Sequence, residues 1–461
     1  MKTLKFQGLL QSKGWLSPAY VGIDDNGIIE SINNQSTPGS KVESIEGLAL
    51  PGFQNAHSHA FQYAMAGLAE DHTNTAGLND NFWSWREKMY QIALSINPDQ
   101  LEAIAARLYA EMVRHGYTHV AEFHYLHLDP TGKPYANKAE LAEKLISAAK
   151  TAGINITLIP IFYQKGGFGK VAGEEQKRFI CRDRAAYFEL WQATSEVCDQ
   201  HDHANMALGI HSMRAVEPNE IIATLDEAPS QVPIHMHIAE QLLEVEASLA
   251  YLGQRPVEWL SNEVGLNDNF HLVHATHLND KEIKKIADAK ANVVLCPSTE
   301  GNLGDGLFPY HQFQEHNGRW SVGTDSHIGL NPMEELRWLD YGQRLHTHNR
   351  NTFRVPSQKC ISGLIAIDHC FRHGRKAMGF NGHEFFKVGD PMNALVIDTG
   401  NPLIQATGFD SLASTIVYSS DATFNLGTLI NGKWLVKNNV HNDMENINRQ
   451  FMQAMKSLAL R

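Results

Sequence analysis

Eight short apolar runs, separated by helical patterns, constrain this chain more than any other feature. They are LALPGFQN (48–55), THVAEF (118–123), INITLIPIF (154–162), MALGIH (206–211), VPIHMHIAE (232–240), FHLVHATHL (270–278), ANVVLCP (291–297) and WSVGTDSH (320–327). Runs of this kind suit parallel strands covered on both faces. Between them lie helical stretches. Asn97-Pro98 reads as an N-cap and first-turn proline, with Leu101, Ile104, Ala105, Leu108 and Met112 at helical spacing and a stop near Gly116. Residues 138–152 repeat the pattern with Leu141, Leu145 and Ala149 before Gly153, and 279–289 is a third case. Eight such units predict an α/β fold, a closed (β/α)8 TIM-like barrel, in preference to an open doubly wound sheet. The polar residues described below need strand ends that converge on one axis.

The flanks read differently. Residues 1–50 hold short strand-like pieces with turns at Asp25-Asn26-Gly27 and Pro38-Gly39. Residues 387–437 hold NALVIDT, STIVY and GTLINGKWLV. The expected organisation is a small β-sandwich domain from 1–50 with 387–437, a barrel over 51–386 and a C-terminal helix within 438–461. A chain of 461 residues is long enough for such a second domain. The net charge of -12 argues against nucleic acid as a partner, since phosphate binding needs a basic face. The N-terminus MKTLKFQGLL lacks the apolar core of a signal peptide, and no apolar run approaches the ~20 residues of a membrane span. Five scattered cysteines (Cys181, Cys198, Cys296, Cys360, Cys370) without a CxxC pair read as buried thiols of a reducing compartment. The expectation is a cytoplasmic protein with no membrane partner.

Histidines at the ends of the apolar runs carry the chemistry. His57 and His59 follow the first run two residues apart, and in an extended segment such side chains point the same way. Both imidazoles are therefore placed to bind one ion at the end of a barrel strand where chemistry sits. The fifth run ends in His237 and Glu240, a further imidazole and a carboxylate able to move protons. His235 reads as core. The sixth run places His274 at its end, with His271 and His277 read as structural or on the loop. The eighth offers Asp325 as an anionic ligand or base.

In this order the motifs resemble those of the amidohydrolase superfamily, over essentially the whole chain. PGFQNAHSHA is similar to its first-strand motif, and the β-rich ends to its split small domain. Members with two ions carry a carbamylated lysine after the fourth strand. Here that stretch reads MALGIHSMRAV, with His211 and Arg214 and no lysine. The resemblance therefore implies the mononuclear deaminase branch: His57, His59, His237 and Asp325 hold one divalent metal ion, and Glu240, His274 and Asp325 handle water and protons. Zinc is the expected ion, with iron(II) as the alternative, because imidazole and carboxylate suit both.

Further pieces resemble the formimidoylglutamate deiminase family of histidine breakdown. They are HSHAFQYAMAGL, FWSWREKMY, AEFHYLH, GIHSMRAV, HIAEQ, HATH and NLGDGLFP. Tyr63 departs from the pattern, which has a basic residue there. The resemblance implies a small substrate with two carboxylates and a product pair of N-formyl-L-glutamate and ammonia; a homodimer is expected. Arg86 and Arg214, expected on strand-end loops, suit carboxylates, and Gln62, Tyr125 and His211 complete the expected pocket. The glycine-rich stretch 165–170 reads as an active-site loop and not as a phosphate cradle. The alternatives are a deaminase of an aminated ring (guanine, cytosine or S-adenosylhomocysteine type), an aryl-halide hydrolase on the same site, and a non-catalytic scaffold.

Overall fold

The computed structural model describes residues 2–36, 39, 41–70, 82–354, 361–382 and 384–458. Pro38 and Cys360 of the sequence reading lie outside them. Eight parallel strands follow one another around the barrel: β1 (Phe53–Ser58), β2 (Tyr117–His124), β3 (Asn155–Phe162), β4 (Leu208–Ser212), β5 (Ile234–Ile238), β6 (Phe270–His274), β7 (Asn292–Leu295) and β8 (Arg319–Val322). Each is hydrogen-bonded to the next in the sheet order. All eight expected runs hold a strand.

The ring closes between β8 and β1. The amides of Thr324 and Asp325 both donate to the His57 carbonyl at 3.0 Å, and His59 N–H donates back to the Asp325 carbonyl at 3.3 Å. Asn55 locks this seam. Its Nδ2 donates to Thr324 Oγ1 at 2.8 Å, and its Oδ1 accepts from Thr324 N–H at 3.0 Å. Gly323 makes the approach possible, because a Cβ there would lie 2.7 Å from the Cβ of His57. Asn55 is fully buried. Asn55→Ala is expected to strand the Thr324 groups and cost about 1–3 kcal/mol. A lowered urea midpoint at unchanged m-value checks this.

The helix starts follow local chemistry. Asn97 and Gln100 form a capping box before the helix Pro98–Arg114. Asn279 and Glu282 do the same before Asp280–Asp288. Gly153 ends Glu140–Ala152 in the left-handed region, where glycine carries no Cβ penalty.

Both chain ends enter one separate sheet of nine strands. They meet where Lys41–Pro51 pairs antiparallel with Ala394–Asp398. Two expectations need correction here. The run 48–55 is not one barrel strand: Leu50 and Pro51 pair with Leu395 and Ala394 in the end sheet, and the barrel strand begins only after Gly52. STIVY is not a strand either but lies in the helix Phe409–Ser419. Its buried residues Leu412, Ala413, Ile416 and Val417 recur at helical spacing, and that period outweighs the β preference of branched side chains. A helix over Met444–Leu458 packs on Pro98–Arg114. Among the described residues no helix is long and apolar enough to cross a membrane.

Candidate active site

Four side chains from strand ends on opposite sides of the ring converge at one point. The Nε2 of His57 lies 3.1 Å from that of His59 and 3.1 Å from that of His237. Asp325 Oδ1 lies 3.5 Å from His57 Nε2 and 3.2 Å from His59 Nε2. Ligands of a tetrahedral zinc at roughly 2.0–2.1 Å stand about 3.3 Å apart, so these spacings fit one ion. The protonation pattern fits as well. His59 Nδ1 donates to the Phe123 carbonyl at 2.9 Å, and His237 Nδ1 donates to the His211 carbonyl at 3.0 Å. Each bond leaves the Nε2 lone pair facing inward, the outer-sphere anchoring that metal-binding histidines use.

Electrostatics agree with a cation-binding donor set. Burial, reinforced by His59, pulls His57 down to about 3. Burial, with His57 next, holds His237 well below its ordinary value. Burial alone would raise Asp325, yet the imidazoles of His57 and His59 against its Oδ1 hold it well below the usual carboxylate range. His57 and His237 are thereby held as neutral imidazoles and Asp325 as the carboxylate, the forms that ligate.

Next to it lie the groups expected to move protons. His274, the last residue of β6, places Nε2 3.6 Å from Glu240 Oε1 and 3.7 Å from Asp325 Oδ2. Its Nδ1 lies 3.3 Å from Glu300 Oε1. Burial alone would lower His274, but Glu240, Glu300 and Asp325 lift it to about 10. Glu240 is raised by burial, against the pull of His274 and Arg214. Ala239, His274, Ala275 and Asp325 all have positive φ, between 45° and 67°. Such backbone costs about 1–3 kcal/mol per residue and collects where a site over-determines it. Here it turns the chain directly after the strands so that Glu240 and Asp325 face the barrel axis.

A cavity of about 330 Å³ opens above the cluster. All the expected substrate residues line it: Gln62, Arg86, Tyr125, His211 and Arg214. Gln62 Nε2 donates to the Tyr125 hydroxyl at 2.9 Å. Arg214 reaches Glu240 at 3.4 Å and Glu244 at 3.8 Å. Arg86 sits not on a loop but on the helix Phe82–Ser95, with its guanidinium 5.5 Å from the Tyr90 ring centre. The glycine-rich stretch lines the same cavity. Lys165–Gly167 pairs with Lys170–Val171 in a hairpin on the cavity wall, turning through Gly169 at φ 65°. Four further histidines near the strands have partners of their own. His235 stacks on His271 and lies 2.7 Å from the Ala377 carbonyl; His271 meets Asn292 and His327 meets Thr324. His277 is half-buried, and its carbonyl accepts from Arg255 at 2.6 Å.

Comparison with known proteins settles the family. The amidohydrolase family pattern matches residues 48–435. The chain belongs to the amidohydrolase family. It is 39% identical over 459 residues to the formimidoylglutamate deiminase of Pseudomonas aeruginosa, covering 99% of this chain and 100% of that one. A crystal structure of an amidohydrolase from Brucella melitensis is 36% identical, with a TM-score of 0.92 and full coverage of both chains. The adenosine deaminase of Xanthomonas campestris with bound zinc is 19% identical, with a TM-score of 0.81 over 100% of this chain and 98% of that one. At that identity the likeness is one of fold.

Three carboxylates of this amidohydrolase escaped the reading of its sequence. Glu122 on β2 accepts from Ser58 Oγ and Ala60 N–H, each at 2.6 Å, and so pins the turn that carries His59. Burial raises it to about 7. Glu300 accepts from Cys296 N–H at 2.8 Å while facing His274. Glu244 accepts from the amides of Ala239 and Glu240. The signal for Glu122 was present, a single acid inside the apolar run THVAEF. Glu244 and Glu300 stand in the first turns of helices and look like ordinary surface acids until the chain folds.

Proposed function

We propose that this amidohydrolase hydrolyses N-formimino-L-glutamate to N-formyl-L-glutamate and ammonia. The observation that carries the reading is a pair of guanidiniums, Arg86 and Arg214, on the wall of the cavity that holds the His–His–His–Asp cluster. The full-length likeness to a formimidoylglutamate deiminase supports the same substrate.

His57, His59, His237 and Asp325 would hold the ion, which we take to be zinc, with iron(II) as the alternative. Bound there, it would supply Lewis-acid chemistry and make water a nucleophile near neutral pH. Asp325, facing His57 and His59 with Oδ1 and His274 with Oδ2, orients that water together with His274 and accepts its proton. As water adds to the formimino carbon, Glu240 protonates the imine nitrogen; the proton taken by Asp325 then passes to that nitrogen, which leaves as ammonia, and the new hydroxyl returns its proton to Glu240 as the formyl carbonyl forms. The charges around Arg214 favour this role. Glu240 and Glu244 both face its guanidinium, so a substrate carboxylate drawn to the same group competes for it and favours protonated Glu240, the donor form. A cytoplasmic homodimer without a nucleic-acid partner belongs to the same reading, and the described cysteines, all buried and unpaired, suit a reducing compartment.

A deaminase of an aminated ring is the second reading. The rings of Phe82, Trp85, Tyr90, Tyr125 and Tyr163 on the cavity wall favour it. Kinetics of Arg86→Met and Arg214→Met separate the two. Each is expected to lose about 2–5 kcal/mol in kcat/KM for formiminoglutamate, because a carboxylate is left buried and unpaired, with metal content unchanged. One variant should respond much less than the wild type to an analogue lacking the γ-carboxylate. Little loss in both, or faster turnover of an aminated ring, would place the chain among the ring deaminases.

A further inference from the structure

A second group of buried donors lies beside the first and shares none of its ligands. Glu240, His274 and Asp305 each offer an atom within 4.8 Å of the other two. Glu240 and His274 belong to the reaction site, whereas Asp305 follows the helix Pro297–Leu303 and is only 4% exposed. Asp305 Oδ1 accepts from Gln241 Nε2, but its Oδ2 is buried with no hydrogen-bond partner. An isolated carboxylate oxygen in that position is costly unless a positive group meets it. The neighbourhood is short of positive charge. Glu240, Glu300 and Asp325 face His274, and the nearby guanidinium of Arg214 is shared by Glu240 and Glu244.

The imidazole is oriented for ligation. Glu300 Oε1 lies 3.3 Å from His274 Nδ1 and is itself held by the Cys296 amide. A carboxylate behind one ring nitrogen fixes the ring and raises the basicity of the other, as it does behind metal-bound histidines. Glu240 turns Oε2 to Arg214 and Oε1 to His274, so Oε1 faces the donor group.

We infer that Glu240, His274 and Asp305 form a second, weaker site for a divalent transition-metal ion, and that filling it inhibits the enzyme. An imidazole donor selects such an ion over magnesium, calcium or an ammonium ion. The ion takes the place of the proton on His274 Nε2, in the usual exchange of metal for proton. It also occupies Glu240, so neither group can serve the reaction. Only the inhibition rests on the proposed roles of Glu240 and His274; the binding does not.

The test starts from dialysed holoenzyme titrated with zinc, with bound metal followed by equilibrium dialysis and turnover measured in parallel. Excess zinc should add a second equivalent, activity should fall as it binds, and a mild chelator should remove it while leaving the first. Asp305→Asn should weaken the second equivalent at least about 10- to 100-fold, the loss usual for an outer-sphere partner alone, and lift the inhibition. Its first equivalent and basal turnover should remain. Asp305→Ser serves as an independent variant if the asparagine form folds poorly. A wild type that stays at one equivalent in excess zinc, or an Asp305→Asn protein that takes up the second as the wild type does, would overturn the proposal. A chain with no first equivalent that still shows Asp305-dependent zinc uptake would overturn the reading of the His–His–His–Asp cluster and leave this one standing.

Discussion

Glu240→Gln is expected to keep its metal ion and lose about 100- to 10,000-fold in turnover, the usual contribution of a positioned acid–base group. The four-donor cluster does not include Glu240. Its backbone amide is held by Glu244, and that bond does not depend on the side chain. Glutamine retains the size and polarity that Arg214 and His274 face, but it carries no proton that can be delivered to a leaving nitrogen. The variant should therefore fold, bind substrate and stall at the chemical step. Elemental analysis and single-turnover kinetics check both halves, and kcat and kcat/KM should fall together. Loss of metal in the variant would make Glu240 a ligand and its assigned role wrong.

Stripping the metal should abolish activity, and one equivalent of a divalent ion should restore it. After mild dialysis the holoenzyme is expected to hold about one equivalent, as a mononuclear site requires. No lysine stands on β4 to carry a bridging carbamate, since the strand reads Leu208–Ser212 and continues to Arg214. Two tightly held equivalents with such a carbamate would overturn this. The apoprotein should also be less stable. The cluster brings three imidazoles and a carboxylate from β1, β5 and β8 into contact, and an ion that binds only the folded state adds about 4 kcal/mol when free at 1,000 times its Kd. His237→Ala should lose both effects, seen as a lower midpoint in urea that added zinc no longer raises.

The legible part of this protein was periodic or terminal. Apolar runs announce buried parallel strands because such strands need apolar residues on both faces, and asparagine and proline announce helix starts because the first amides need a partner. Histidines at the end of a strand are conspicuous for the same reason, since polar groups there break the apolar pattern. His57, His59, His237, His274 and Asp325 were accordingly readable one by one. The step from 48–55 to a single strand failed because Pro51-Gly52 marks a break there, while only the pairing with Ala394–Asp398 shows that the break divides two sheets. STIVY misled because branched residues favour strands while packing on a neighbouring helix decides.

What the sequence by itself determined was therefore the alternation of strands and helices, the β-rich ends and the identity of the chemical groups. The tertiary structure alone decided their distances and charges. A histidine pulled down to about 3 beside another lifted to about 10 is not a property of histidine, and no spacing in the sequence encodes it. His57 is surrounded by imidazoles and by Asp325, His274 by three carboxylates that arrive from β5, from the segment after β7 and from the turn after β8. Ring closure assembles those neighbours from residues up to 268 positions apart, from His57 to Asp325. Coulomb energies depend on separation in space and on burial, and both come into being only when the barrel closes.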